Sequence, residues 1–167
     1  MDHVDQILAQ WHQERPDLDV SPMGTLGRIQ RLSHHVLREM EKTFAKHGLN
    51  RASFDVMATL RRLGPPYALS PGDLMAWTMV TSGTMTNRID QLEKAGMVER
   101  IRNPQDGRGF LISLTPRGLE TIEEAVTAHV ATQARLVACL TDRQRTQLDD
   151  LLRDFLAGLE GKAPDQA

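Results

Sequence analysis

The sequence predicts a mainly α-helical fold with one antiparallel β-hairpin. Apolar residues recur at spacings of three and four along most of the 167-residue chain, which is the period of amphipathic helices. The pattern changes to that of strands only where "MVERIR" and "FLISLT" flank the turn-rich "NPQDGRG". The apolar share of 40% is enough for a sizeable core. We therefore expect a single domain over residues 1–167.

Three helices are expected before the "GPP" segment. The first should end at Arg15, because the residue before a proline disfavours the helical conformation. Its apolar positions are Val4, Ile7, Leu8 and Trp11. After the turn-rich "PDLDVSP", an apolar stripe over residues 26–44 stops at Gly48, where glycine serves as a C-terminal cap. A third helix over residues 54–63 is closed by "GPP".

A very short helix is predicted next, from Leu74 to about Met79. The segment "SPGD" places a hydroxyl at the cap (Ser70), a proline at the first helical position and a carboxylate three residues after the cap (Asp73). This combination is a strong signal for the start of a helix.

The following helix is capped by Thr81 or Ser82 and ends at Gly96. Its apolar residues lie on one face; they are Met85, Ile89 and Leu92. The opposite face presents Ser82, Thr84, Thr86, Asn87 and Arg88. Short donors and acceptors at a helix N-terminus are suited to the base edges and phosphates of a DNA major groove. The alternative is a cap followed by solvated surface, which we favour for Thr81 itself.

The hairpin supplies a second candidate contact with DNA. Arg108 lies at a glycine-flanked tip, from which a long cation reaches a minor groove, and Asp106 would orient it or cap the turn. Arg100 and Arg102 lie at the hairpin base. The alternative for Arg108 is an exposed, unpaired arginine. Helix, turn, helix and hairpin in this order predict a winged helix-turn-helix.

Charge is distributed unevenly along the chain. Residues 28–118 hold fourteen basic and eight acidic residues, although the whole chain has a formal net charge of −2. A compact protein with one polyanion-binding surface shows this asymmetry. The middle of the chain is therefore the expected partner of double-stranded DNA.

Composition argues against several other classes of protein. No window approaches the roughly 18 apolar residues of a membrane span. The acidic N-terminus lacks the layout of a signal peptide, so a cytoplasmic location without membrane contact is expected. The single Cys139 has no thiol partner for a disulfide or a metal and is interpreted as a buried apolar residue.

The sequence also lacks the motifs of common enzymes. It has no Gly-rich phosphate loop, nucleophile elbow or Ser/His/Asp set, so we predict neither an enzyme nor a cofactor. The histidines show no spacing with Cys or carboxylates that suggests zinc, and no metal site is predicted. We interpret them as solvated or helix-capping; they are His3, His12, His34, His35, His47 and His129.

Two apolar helices follow the hairpin. The first is capped at Thr115-Pro116, and its stripe is Ile122, Val126, Val130 and Val137. The second begins at Thr141-Asp142, and its stripe is Leu148, Leu151, Leu152, Phe155 and Leu159. A single compact domain leaves little against which to bury both stripes. We therefore expect a dimer, and packing of the stripes within one chain is the alternative.

Together these features resemble the MarR family of bacterial transcriptional regulators. The matching segments are "LSPGDLMAW", "TSGTMTNRIDQLEKAGMVER" and the D-x-R wing in "NPQDGRGFLISLTPRG". One departure is Gly107, where the family usually has a second basic residue between the Asp and the Arg of the wing. The resemblance implies a homodimer with a helical dimerisation region at 1–47 and 116–160 and a DNA-binding winged helix-turn-helix at 50–115.

The segment "ILAQWHQERPDLDVSP" resembles the urate-responsive, PecS-type branch of the family. That branch implies a ligand site formed by a Trp, an Asp and two Arg, which fall on Trp11, Asp55, Arg88 and Arg100. An anionic planar ligand suits an aromatic face and guanidinium groups. Because Arg88 lies on the predicted recognition helix, ligand binding would act directly on DNA binding.

Three of these four ligand residues also have a simpler interpretation. Trp11 fits an apolar helical stripe, Asp55 fits the favourable first turn of a helix, and Arg88 fits a phosphate contact. The function predicted overall is a repressor that binds a pseudo-palindromic operator and is released by a small aromatic anion, urate or a related purine. The alternatives are a phenolic or antibiotic effector, and a winged-helix protein-interaction module without specific DNA binding.

Overall fold

The structure is a computed structural model that describes residues 1–78, 82–104 and 109–161, leaving aside the side chains of residues 82 and 83. Within these ranges the chain forms seven helices and three short strands. In chain order they are α1 (His3–Glu14), α2 (Ser21–Lys46), α3 (Arg51–Arg62), β1 (Ala68–Leu69), α4 (Pro71–Thr78), α5 (Ser82–Lys94), β2 (Val98–Arg102), β3 (Phe110–Leu114), α6 (Pro116–Val137) and α7 (Asp142–Leu159). The predicted mainly α-helical class is confirmed.

The start of α2 differs from the sequence expectation. The helix begins at Ser21, within the segment predicted to be a turn. Pro22 lies in the first helical turn, where its missing N–H costs no hydrogen bond. The Asp19 carboxylate accepts a 3.0 Å hydrogen bond from the Ser21 N–H. Pro22 therefore belongs to the first turn of α2, where the sequence pattern had predicted a turn.

Local caps fix several helix ends. Asp2 and Asp5 form a capping box at α1, and Thr141 and Gln144 form one at α7. At α4 the Asp73 N–H donates to the Ser70 hydroxyl at 3.1 Å, as the "SPGD" segment predicts. These caps each lie within a short stretch of sequence, and at α1 the Arg28 guanidinium of α2 also donates to both capping carboxylates.

The small sheet has the order β1-β3-β2, and both pairings are antiparallel. Strands β2 and β3 form the predicted hairpin, with Arg100 opposite Ile112 and Arg102 opposite Phe110. Strand β1 was not predicted, because two residues are too few to show the alternation of a strand. It pairs Leu69 with Ile112, so it joins the segment before α4 to the base of the hairpin.

The core of the first part of the chain lies between the helix-turn-helix and the sheet. Its fully buried side chains include Met57 and Leu60 of α3, Leu74 of α4, Met85 of α5 and Ile112 of β3. Helices α3, α4 and α5 and strand β3 therefore contribute to one apolar centre. Burial of these side chains fixes the orientation of α5, since its apolar face cannot turn outward without exposing them.

The chain divides into two compact units, Met1–His129 and a second that begins at Val130. In the second unit, α7 has no buried residue along its length. Cys139, interpreted from sequence as buried, is exposed in the turn after α6, because the helix ends at Val137. Among the described residues, no helix is both long and apolar enough to cross a membrane.

Candidate DNA-binding surface and ligand pocket

The face of α5 opposite the core is polar, as its sequence predicts. Met85, Ile89 and Leu92 are buried, so helical periodicity turns Thr84, Thr86 and Asn87 outward, and all three are exposed. Arg88 is half-buried beside them. Thr81 and the side chain of Ser82 lie outside the described residues.

The base of the wing is described and its tip is not. The Asn103 N–H donates to the Gly109 carbonyl at 3.0 Å, which closes the hairpin beyond the strands. Arg102 is exposed at the end of β2. The predicted tip residues Asp106 and Arg108, together with Gly107, lie outside the described residues. Of the predicted wing contacts, the structure therefore places Arg102 alone.

Arg100 ties α5 to the hairpin. Its guanidinium donates to Asp90 at 2.5 Å and to Glu93, both on α5. The same guanidinium lies 5.7 Å from the ring centroid of Phe110 on β3, a distance at which cation–π attraction operates. Arg100, predicted to bind a ligand, is thus held by two carboxylates and one ring in this structure.

A pocket of about 300 Å³ lies between α3 and α4. Its lining combines apolar, aromatic and charged side chains, which are Phe54, Asp55, Ala58, Thr59, Arg62, Trp77 and Thr78. The Thr78 hydroxyl donates to the Leu74 carbonyl at 2.6 Å. The charged groups in this lining are the Asp55 carboxylate and the Arg62 guanidinium. This volume is at the lower end of the range for small-molecule sites.

Asp55 is the predicted ligand residue that lies in this pocket. Burial raises the pKa of its carboxyl, and the nearby positive charges of Arg51 and Arg88 oppose that rise. Arg51 lies one helical turn away, with 3.9 Å between its Nε and the Asp55 carboxylate. The Arg88 guanidinium therefore acts on Asp55 through its charge, and the two side chains share no hydrogen bond or ion pair among the described residues.

Trp11 has different surroundings from Asp55. It lies on α1 and lines a shallow depression with Gln10 and Glu14. Its side chain is 41% exposed, so the interpretation of Trp11 as a core residue is wrong for the described chain. Of the four predicted ligand residues, Asp55 lines this pocket. Arg88 interacts with it through charge, whereas Trp11 lines another depression and Arg100 pairs with Asp90 and Glu93.

His129 is a residue that the sequence analysis misinterpreted. Its ring stacks on Phe44 with centroids 5.4 Å apart and lies 4.9 Å from the Phe54 ring. Burial lowers its pKa, and the charge of Asp55 raises it in part. The Nδ1 atom is buried without a hydrogen-bond partner among the described residues. The available signal was its spacing of seven from Ile122, which places it on the apolar face of α6.

Comparison with known proteins identifies the class of protein. Residues 47–109 match the MarR family. The chain is also 39% identical over 149 residues to the HTH-type transcriptional regulator PecS of Dickeya dadantii (strain 3937), covering 89% of this chain and 90% of that protein. The chain therefore belongs to the MarR family of winged helix-turn-helix transcriptional regulators.

Among solved structures, a cysteine-to-serine mutant of MarR from E. coli complexed with operator DNA shares this fold. The TM-score is 0.69 at 25% identity, over 87% of this chain and 97% of that one. AbsC, a MarR family regulator from Streptomyces coelicolor, superimposes with a TM-score of 0.76 at 24% identity, over 87% of this chain and 98% of that one. The second likeness supports the fold alone.

Proposed function

We propose that this protein is a homodimeric repressor that binds a pseudo-palindromic operator and is released by urate or a related purine anion. The observation that carries the proposal is the orientation of α5. Its apolar residues are buried in the core, and Thr84, Thr86 and Asn87 face outward. A recognition helix held in this way presents its N-terminal polar residues to the major groove.

The proposed DNA contacts are on α5 and the wing. On α5 they are Ser82, Thr84, Thr86, Asn87 and Arg88, which would bond base edges and phosphates. On the wing they are Arg102, Asp106 and Arg108, with the arginines directed to the backbone and the minor groove. In a dimer, two such surfaces would meet half-sites about 34 Å apart, one turn of the duplex.

Dimerisation is supported by the exposed apolar side of α7. Leu148, Leu151, Leu152, Phe155 and Leu159 are all exposed in one chain. A continuous apolar stripe of this kind is typical of a protein interface. A second copy of the chain is the partner we propose, because a C₂ dimer also supplies the second recognition helix that a pseudo-palindrome requires.

Ligand release is supported by the electrostatic interaction between Asp55 and Arg88, which opposes the rise of the Asp55 pKa on burial. An anionic ligand near Asp55 would attract the Arg88 guanidinium toward the pocket. Because Arg88 is part of α5, that attraction withdraws a cation from DNA and strains the fit of the helix in the groove. Trp11 and Arg100 complete the proposed set, with Trp11 as an aromatic face and Arg100 as a further cation.

The function is tested by a gel-shift titration of the full-length protein on the DNA upstream of its own gene. A specific regulator should lose affinity about a thousandfold or more between 50 and 200 mM salt and keep its preference for one palindrome. A protein-interaction module should show neither property. Binding to a scrambled duplex of equal length provides the control for sequence preference.

The effector is tested in the same assay with urate, xanthine and salicylate. We expect a purine to release the operator, and we expect Asp55→Asn to require a higher purine concentration for half-release, measured relative to its own occupancy without ligand. Release by salicylate alone would replace the purine with a phenolic effector. Specific binding that none of the three disturbs would keep the regulator and reject this class of effector.

A further inference from the structure

Three side chains connect the end of α3 to α6. The Arg61 guanidinium, one residue before the end of α3, donates through its Nε to the Glu123 carboxylate of α6, 62 residues further along the chain. The carbon of this guanidinium also lies 5.3 Å from the centroid of the Tyr67 ring, within the range of a cation–π interaction. Together Arg61, Tyr67 and Glu123 form what we call the α3–α6 joint.

The backbone of Tyr67 fixes its ring in the joint. Its φ is 58°, in the left-handed region that a bulky residue rarely adopts. The Tyr67 N–H donates to the Gly64 carbonyl at 2.8 Å, and the Tyr67 carbonyl accepts from the Leu114 N–H at 3.2 Å. Leu114 ends β3, immediately before the segment that starts α6. A strained conformation persists only where its surroundings enforce it, so the ring is a fixed support for the guanidinium.

Beside the joint, α6 is held by apolar contacts. Ile122 and Ala125, on either side of Glu123, are fully buried. Further along the helix, the His129 ring stacks on Phe44 of α2. Burial of apolar surface is a non-directional force, so it holds α6 in place while tolerating small rotations of the helix. A guanidinium offers its donors in a rigid planar fork, so the ion pair favours one orientation of α6 relative to α3.

We propose that Arg61 and Glu123 are positioning residues for operator binding. Their ion pair, supported by the Tyr67 ring, fixes the orientation of α6 relative to the helix-turn-helix and thereby sets the half-site spacing that the dimer accepts. This inference rests on the proposed function, in which α6 leads from the hairpin to the dimerisation region. It adds two residues that touch neither DNA nor effector.

The length of α6 converts a small change at the joint into a displacement that DNA can register. From Glu123 to the end of α6 at Val137 the helix extends about 21 Å at 1.5 Å per residue. A tilt of about 10° at Glu123 therefore displaces that end by about 4 Å, close to the ~3.4 Å rise of one base pair. Because the ion pair is partly exposed, its loss should affect this orientation more than the folding of the chain.

Distances between spin labels test the orientation without DNA. Cys139 is the single cysteine of the chain, so Cys139→Ser with Gln91→Cys places one label on each α5 of the dimer, at an exposed position outside the proposed DNA contacts. In this full-length background Glu123→Gln should about double the width of the label-to-label distance distribution, because the joint then samples more orientations. Glu120→Gln removes the same charge from an exposed position on the same helix and should leave the width unchanged. Exchanging the charges with Arg61→Glu and Glu123→Arg should restore the narrow distribution.

The operator readout uses the DNA upstream of the protein's own gene. One base pair is inserted or removed between the half-sites that footprinting defines. The wild-type protein should bind the altered spacings about tenfold more weakly than the natural one. Glu123→Gln should reduce that ratio below about threefold and change the affinity for a single half-site by less than about twofold, since the contacts of α5 remain. A purely structural role would weaken all the duplexes alike and leave the ratio unchanged.

The outcomes separate the joint from the proposed function. A distance distribution and a spacing ratio that Glu123→Gln leaves unchanged would overturn the joint and leave the proposed regulator standing. Equal changes in Glu120→Gln would also overturn it, because they would trace to the net charge of α6. A charge exchange that fails to narrow the distribution would assign the effect to another contact of Glu123. A monomer in sedimentation, or wild-type protein without specific binding, would reject the proposed function and the joint with it.

Discussion

The apolar residues of the helix-turn-helix region are buried, whereas those of the C-terminal helix α7 are exposed. In the first, Leu60, Leu74 and Met85 come from three different helices and are fully buried together. In α7 no residue is buried, and Leu151 and Phe155 are exposed. A single chain thus buries the apolar side chains of the first region. The apolar surface of α7 stays uncovered in one chain. The fold of the first is a property of the protomer, and α7 is suited to a partner.

The largest effect is expected from opening a cavity in the protomer core. Leu60→Ala should lower the free energy of unfolding by about 2–5 kcal/mol, because the lost side chain leaves a void among packed neighbours. Leu63→Ala, three residues further along and exposed, should change it by less than about 0.5 kcal/mol. Urea denaturation of both variants measures the difference. Equal losses would contradict a core centred on this face of α3.

A somewhat smaller effect is expected on α7, and it should depend on protein concentration. Phe155→Ala should weaken dimerisation by about 2 kcal/mol, as for a buried aromatic residue at an interface. Sedimentation at several concentrations measures the monomer–dimer equilibrium. Arg153→Gln is the control, since Arg153 pairs with Asp149 and Asp150 on its own helix. Concentration-independent destabilisation by Phe155→Ala would place α7 in the protomer core instead.

Polar contacts that orient α5 should contribute less to the free energy of unfolding than its buried apolar residues. Arg100→Gln removes the ion pairs to Asp90 and Glu93, which are partly exposed, so a loss of about 1 kcal/mol or less is expected. Thermal unfolding should register a decrease of about 2–4 °C at most. Arg102→Gln, on the same strand, should leave the unfolding temperature unchanged and weaken operator binding. The opposite pattern would show that Arg102 has the structural role.

The smallest expected effect is a pH dependence from His129. Burial lowers the pKa of its ring below the ordinary 6.5, so the unfolded chain takes up a proton first as the pH falls. The contribution of His129 to the free energy of unfolding is therefore full above pH 6.5. It declines as the pH falls from 6.5 toward the folded-state pKa. His129→Gln should remove this component of the decline. Parallel pH profiles for the two proteins, followed by urea denaturation, would exclude it.

Much of the DNA-binding region was predictable because its signals are local and periodic. Met85, Ile89 and Leu92 define one face of α5 by spacing alone, and the structure buries all three. The capping segment at Ser70 likewise fixes the start of α4. In both cases the relevant interactions span a few residues, so a single stretch of sequence contains them.

The pocket was less predictable because it depends on pairs that are distant in sequence. Trp77 meets Arg62 and His129 meets Phe44 only after the helices have packed. Strand β1 was missed for the same reason, since Ala68 and Leu69 become a strand by pairing with β3. Spacing within one helix could not show that Trp77 would meet Arg62 or that His129 would meet Phe44.

The tie made by Arg100 has a mechanical consequence. Its guanidinium joins β2 to Asp90 and Glu93 of α5, so the two elements that carry the proposed DNA contacts are coupled to each other. A small rotation of α5 therefore moves the β2–β3 hairpin with it. If the proposed effector binds in the pocket beside α4, this coupling predicts that it displaces the proposed contacts of α5 and of the wing together.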